Sequence, residues 1–254
     1  MNFKNAITIP ATALTLLSGI AIADVTDKIE KTYTFDIDGK VSLSNINGDV
    51  FITACDCKKL TLSALITASD QETRDRISLK IKANESSFSV ETKYAERDKE
   101  WHRKDRQSEV VFHLSVPKGA NLNDIELVNG DLDISGVTGK LNADLVNGRL
   151  SSDGLTSDTK IEMVNGNINL SFKNLNNAKN VDLEAVNGDI IVSLPSNASA
   201  KISAETVSGR ISNEFGLKVN KGQWVGSDMN GTIGDGRVDI KMENVNGRIA
   251  LQKH

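Results

Sequence analysis

Seven times along the chain a β-branched aliphatic residue precedes a small turn-forming pair, and an aliphatic residue follows at a fixed distance. A repeat of this kind governs what the rest of the chain can fold into. The pairs are Asn47-Gly48, Asn129-Gly130, Asn147-Gly148, Asn165-Gly166, Asn187-Gly188, Ser208-Gly209 and Asn246-Gly247. Ahead of them stand Ile46, Val128, Val146, Val164, Val186, Val207 and Val245. Three residues beyond each Asn or Ser come Val50, Leu132, Leu150, Ile168, Ile190, Ile211 and Ile249. The central spacings of 18, 18, 22 and 21 residues accommodate two short strands and two corners per unit.

Before each pair the apolar positions alternate, as in Ile125/Leu127, Ala143/Leu145, Ile161/Met163 and Val181/Leu183/Ala185. That period of two marks a strand with one buried face. Two folds satisfy it. Asn-Gly between alternating hydrophobics is a strong hairpin signal, and an antiparallel meander would pair Leu127 with Leu132 and Ile125 with Ile134. A parallel β-solenoid instead gives the constant Val or Ile a place, filling the corner and stacking on its equivalents one rung away. The solenoid is preferred on that ground, and an all-β chain agrees with the scarcity of helix-period patterning.

The segment from Thr53 to Ala120 interrupts the repeat with strand-like runs at 60–67, 77–83, 86–94 and 109–117. It reads as an N-terminal β-layer that caps the stack, giving a layer over 24–120 and a solenoid over 121–254. In the last run His113 falls on the less buried face. Between Gly209 and Asn246 the register lapses, with Asn230-Gly231 as a degenerate copy, and Trp224 is expected to plug the space. An open stack edge needs such a cap, because unpaired strand edges invite intermolecular pairing.

The succession LVNGDLDI, LVNGRLSS, MVNGNINL, AVNGDIIV, TVSGRISN and NVNGRIAL resembles the bacterial putative-adhesin family of β-strand-repeat proteins, a domain family of unknown function. The likeness runs from about Phe35 to Leu251. It implies an envelope or exported protein with a β-solenoid-like core, and it brings no catalytic residues.

At the N-terminus Lys4 precedes an apolar run that ends in Ala21-Ile22-Ala23. Residues 1–23 have the form of a secretory signal peptide, with Asp24 as the mature terminus. The run carries Thr8, Pro10, Thr12, Thr15 and Ser18 and is short for a membrane span. Its removal changes the balance of 30 basic to 34 acidic residues into 29 to 34, a net charge of −5. Nucleic-acid binders carry a basic patch instead.

In the six copies from Asn129 onward an acid lies three residues before the Asn or Ser: Glu126, Asp144, Glu162, Glu184, Glu205 and Glu243. With rungs about 4.8 Å apart these form one stripe, read as a solvated face or as a dock for a divalent cation or a basic partner. Two residues after the Asn or Ser the ladder reads Asp131, Arg149, Asn167, Asp189, Arg210 and Arg248, so Asp131 with Arg149 and Asp189 with Arg210 are expected cross-rung pairs. Cys55 and Cys57, the only cysteines, are marginally spaced for a disulfide in a strand. The expectation is a disulfide at a turn before Lys58-Lys59, with free thiols or a metal site as alternatives.

The charged run around Trp101, His102 and Arg103 reads as a solvated loop and a candidate binding contact. No histidine spacing, serine elbow or phosphate loop indicates catalysis, metal or cofactor. Asp131 and Asp133 could be conjectured as an acid pair, but these acids follow the repeat. The reading is a non-enzymatic exported scaffold or adhesin-like module, periplasmic, surface-bound or secreted, contacting an envelope component, a surface glycan or itself. Its alternatives are a glycan-processing solenoid enzyme and a cation-binding accessory module.

Overall fold

The computed structural model describes residues 24–95, 107–222 and 226–254. Their strands are β1 (Val25–Thr34), β2 (Lys40–Asn47), β3 (Val50–Cys55), β4 (Lys59–Ala68), β5 (Ile77–Asn84), β6 (Ser87–Tyr94), β7 (Ser108–Pro117), β8 (Asn121–Asn129), β9 (Leu132–Ser135) and β10 (Leu141–Asn147). There follow β11 (Leu150–Asn165), β12 (Ile168–Asn187), β13 (Ile190–Leu194), β14 (Ala200–Ser208), β15 (Ile211–Asn213), β16 (Val219–Lys221), β17 (Ser227–Ile233), β18 (Val238–Asn246) and β19 (Ile249–Lys253). One short helix, α1 (Gln71–Asp75), lies between β4 and β5; the sequence pattern does not announce it.

At each Asn-Gly or Ser-Gly pair the chain turns from one sheet into another, and successive turns stack in parallel. Leu127 stands beside Leu145, not Leu132, and Leu132 stands beside Leu150, so the repeat is a solenoid and not a meander. The first sheet runs β5-β6-β2-β8-β10-β11-β12-β18-β14-β17-β16 and holds the strands that lead into the corners. The second runs β1-β4-β7-β3-β9-β11-β12-β13-β19-β15 and holds the strands that leave them. The long β11 and β12 serve both sheets. Ile125 and Leu127 from the first and Leu132 and Ile134 from the second are buried in one continuous core.

The four strand-like runs of the insertion appear as β4 to β7. Strands β6 and β7 form a rung outside β2 and β3, with residues 96–106 between them in place of an Asn-Gly pair. Antiparallel β4, β1 and β5 flank that rung, and charges on the outermost strand, such as the Lys28–Glu30 pair at 2.6 Å, discourage further pairing.

The far end departs from the order of the sequence. The final copy, β18 and β19, is inserted between the rung of Asn187 and the rung of Ser208: β18 pairs with β12 on one side and β14 on the other. The chain therefore skips one rung, turns back through antiparallel β16 and β17, and fills the gap last. The lapse in register between Gly209 and Asn246 is this reversal. Trp224 lies outside the described residues.

The corners explain the glycines. A Cβ on Gly166 would lie 1.6 Å from the carbonyl oxygen of Gly148, and one on Gly188 would lie 1.8 Å from that of Gly166. Gly166 has φ +145, a region costly for other residues. Gly209 is not in that region, yet its Cβ would sit 1.8 Å from the Gly247 carbonyl oxygen, so close stacking alone demands glycine there.

Candidate functional site

Strand alternation in the first sheet sends two rows of side chains outward. One is the row of carboxylates. Register places Ser44 beside Glu126, then Asp144, Glu162, Glu184, Glu243 and Glu205 in turn. The row extends beyond the repeat, to Glu91 beside Ser44 and to Asp228 beside Glu205. Sequence reasoning missed these two because neither belongs to a repeat copy; each sits in a capping strand whose pairing is fixed only in three dimensions.

The second row is Ile46, Val128, Val146, Val164, Val186, Val245 and Val207. These residues were expected to fill the corner, but they are between 38% and 54% exposed. The preceding residue takes the inward position, so alternation turns the Val or Ile out. Nine large hydrophobic side chains are exposed among the described residues, and seven belong to this one row. Scattered exposed aliphatics need no explanation, but a contiguous row is the mark of a contact surface.

The two rows line a groove of about 730 Å³ that runs across the stack, with no aromatic side chain among the described residues that line it. Its charge is incompletely neutralised. Lys160 reaches Glu162 at 2.7 Å and Lys241 reaches Glu243 at 2.9 Å, while Glu126, Asp144, Glu184 and Glu205 have no ion-pair partner among the described residues. Burial pushes the Asp144 carboxyl up, and Glu162, Glu126 and Asp124 add to the rise against Lys160. The hydrogen bond to Glu162 in turn holds the Lys160 ammonium above its ordinary value.

A ladder of side-chain hydrogen bonds runs along the rim of the groove. Asn129 donates from Nδ2 to Asn47 Oδ1 at 2.9 Å, and Asn147, Asn165, Asn187 and Asn246 continue the same ladder, each to the asparagine one rung before it. Beneath the rim Asn45 donates to the carbonyls of Val110, Gly48 and Asn47 and accepts from the Thr92 hydroxyl. Asn244 and Thr206 likewise donate to the carbonyls of Gly188 and Gly247. These three polar residues stand where other copies have Leu127, Leu145, Met163 and Ala185, and each reaches a rung that is not its neighbour in sequence.

The remaining candidates are dispersed. Arg149 pairs with Asp131 at 2.8 Å as expected, but Asp189 pairs with Arg248 at 3.1 Å and not with Arg210, because the final rung stands between them. Asp133 lies beside Phe51 and Ser151 on the second sheet, away from the groove. His113 is exposed and stacks on Phe51 with ring centres 4.7 Å apart. Cys55 and Cys57 are joined by a disulfide at the turn between β3 and β4, their Cα atoms 5.3 Å apart, closer than an extended strand would hold them. Trp101, His102 and Arg103 lie outside the described residues, as do residues 1–23. Among the described residues no group of three or more His, Cys, Asp or Glu is placed to hold a metal ion, and no helix is long and apolar enough to cross a membrane.

The Toastrack DUF4097 family model matches residues 23–252. No curated protein matches the chain. Among solved structures, a putative cell adhesion protein from Clostridium sporogenes is 16% identical with a TM-score of 0.50, over 90% of this chain and 100% of that one. A putative adhesin from Bacteroides fragilis is 13% identical with a TM-score of 0.42, over 89% and 97%. At these identities the likeness concerns the fold alone.

Proposed function

Since the chain belongs to the Toastrack DUF4097 family, we propose that it works as that family's fold suggests a stacked sheet can: as an exported, non-enzymatic binding module, adhesin-like, that holds the groove of its first sheet against another component of the bacterial envelope. The observation that carries this reading is the aliphatic row. Leaving seven large apolar side chains in one exposed line is unfavourable unless something covers them. The stacked rungs form an extended, stiff surface suited to a long contact. Export rests on the signal-peptide pattern of residues 1–23.

A glycan-processing enzyme would need convergent acids flanking a bond. The groove offers at most one acid per rung, in a line, and no aromatic platform among the described residues. Asp131 is engaged by Arg149.

The test is binding of the full chain to whole cells and envelope fractions, compared with Val164→Asp. Saturable binding that falls at least tenfold in the variant, with folding unchanged by circular dichroism, supports the reading. Equal binding by both proteins moves the contact off the groove. Release of soluble sugar products would overturn the non-enzymatic assignment.

A further inference from the structure

The groove presents an aliphatic row on seven rungs beside a carboxylate on six of them, the Ile46 rung carrying Ser44 instead, and the two rows place joint demands on an occupant. Resting on the binding-module reading above, we infer that the groove receives a cationic amphipathic α-helix of a partner protein, lying along the stack with its aliphatic stripe on the valine row and its lysines or arginines over the acids.

Charge is the first argument. Four of the six repeat acids lack an ion-pair partner among the described residues, and the row is prolonged at either end by Glu91, which is paired with Lys93, and by Asp228, which accepts a hydrogen bond from Asn220. An acyl chain would suit the valines but leave this row unanswered, and an anionic headgroup would be repelled by it. Cations flanking an apolar stripe answer both rows at once.

Backbone chemistry is the second. The groove lies on the face of a sheet, where the N–H and C=O groups are already paired along the ladder. An extended segment lying across the valines would find no partners for its own backbone, and unpaired backbone groups in a contact are costly. A helix satisfies its backbone internally.

Spacing is the third. Rungs recur about every 4.8 Å, and a helix returns to the same face about every 5.4 Å. The difference of roughly 0.6 Å per rung sums to about 3.6 Å over six intervals, within the reach of flexible lysine side chains. A strand, with about 6.8 Å between side chains on one face, slips by about 2 Å per rung, roughly 12 Å over the same six intervals. Seven rungs span about 29 Å, the length of a helix of about 19 residues.

The probe is a synthetic amphipathic peptide of about 19 residues with a leucine stripe and lysines on one flank. Its binding to the full chain is compared with that of a sequence-scrambled isomer. We expect the ordered peptide to bind saturably and gain helicity on binding, with affinity falling at least tenfold in Val164→Asp. It should also fall several-fold in the isosteric triple variant Glu126→Gln, Asp144→Asn, Glu184→Gln, whose exposed positions leave the fold intact, and with rising salt.

Equal binding of the scrambled isomer would reduce the effect to bulk charge and overturn the inference. So would a fatty-acid probe seated in the groove, or self-association abolished by Val164→Asp. Loss of the peptide effect while Val164 still governs binding to whole cells would remove the helix and keep the binding module.

Discussion

Asn246 donates a hydrogen bond from Nδ2 to Oδ1 of Asn187 at 3.0 Å, although 59 residues separate them and Ser208 comes between them in the chain. The asparagine ladder is thus continuous in space while the chain that supplies it doubles back. The last strand pair must enter a gap between two rungs already named by earlier sequence. The neighbouring charges follow the same order, Asp189 meeting Arg248 and not Arg210.

A double-mutant cycle tests that order. Asp189→Ala with Arg248→Ala should show a coupling of about 0.2–1 kcal/mol, the range for an exposed pair, and Asp189→Ala with Arg210→Ala none. Coupling confined to Arg210 would restore the sequential stack. Urea unfolding at low salt is the measurement.

Glycine stacking separates two costs that are often merged. Gly216→Ala adds a side chain at φ +74 with nothing within 4 Å, so it should cost only the backbone term, about 1–2 kcal/mol. Gly166→Ala adds the clash with the Gly148 carbonyl and should cost about 3 kcal/mol or more. Similar midpoints for the two variants would show that the corners can widen freely.

Asn45 is buried and makes four hydrogen bonds that tie the first corner to Val110 and Thr92. Asn45→Leu matches its rung to the Leu127 and Leu145 rungs but leaves the carbonyls and the threonine unpaired. The expected loss is about 2–4 kcal/mol, read from the thermal or urea midpoint. A neutral outcome would mean that apolar filling compensates the lost clamp.

Two aspartates should respond to pH in opposite senses. At Asp144 burial and neighbouring acids raise the folded pKa, so ionisation costs the folded state: stability is lost as pH rises from the unfolded value through the folded one. Asp144→Asn should therefore stabilise at pH 7 by about 0.5 kcal/mol or less, since the site is exposed, with the gain fading below about pH 3.9. At Asp158 burial opposes ionisation, but hydrogen bonds from the Lys179 N–H, the Lys140 ammonium and the Asn180 N–H outweigh it and lower the pKa. Its contribution is present above the unfolded value and is lost as pH falls through the folded value, so Asp158→Asn should destabilise at pH 7. Chemical denaturation from pH 3 to 7 checks both signs.

Much of this protein could be read in one dimension. The fixed offset of Asn-Gly from the aliphatics on either side identified the corners, because a corner that stacks at 1.6–2.4 Å from a virtual Cβ to a carbonyl oxygen admits only glycine. Alternation in Ile125/Leu127 and its equivalents identified the buried face, and the recurrence of Glu126, Asp144 and Glu162 identified the acidic row. All of these are local properties, set by backbone geometry within a few residues.

Tertiary structure alone decided three things. It placed β18 and β19 between β12 and β14, since every copy carries the same corner and near-equivalent strands can stack in more than one order. It joined Glu91 and Asp228 to the acidic row through pairings that no spacing encodes. And it left Val128 and its equivalents in the open, where the repeat had suggested a filled corner: whether such a side chain meets solvent, a covering loop or another sheet depends on what the rest of the chain does in space.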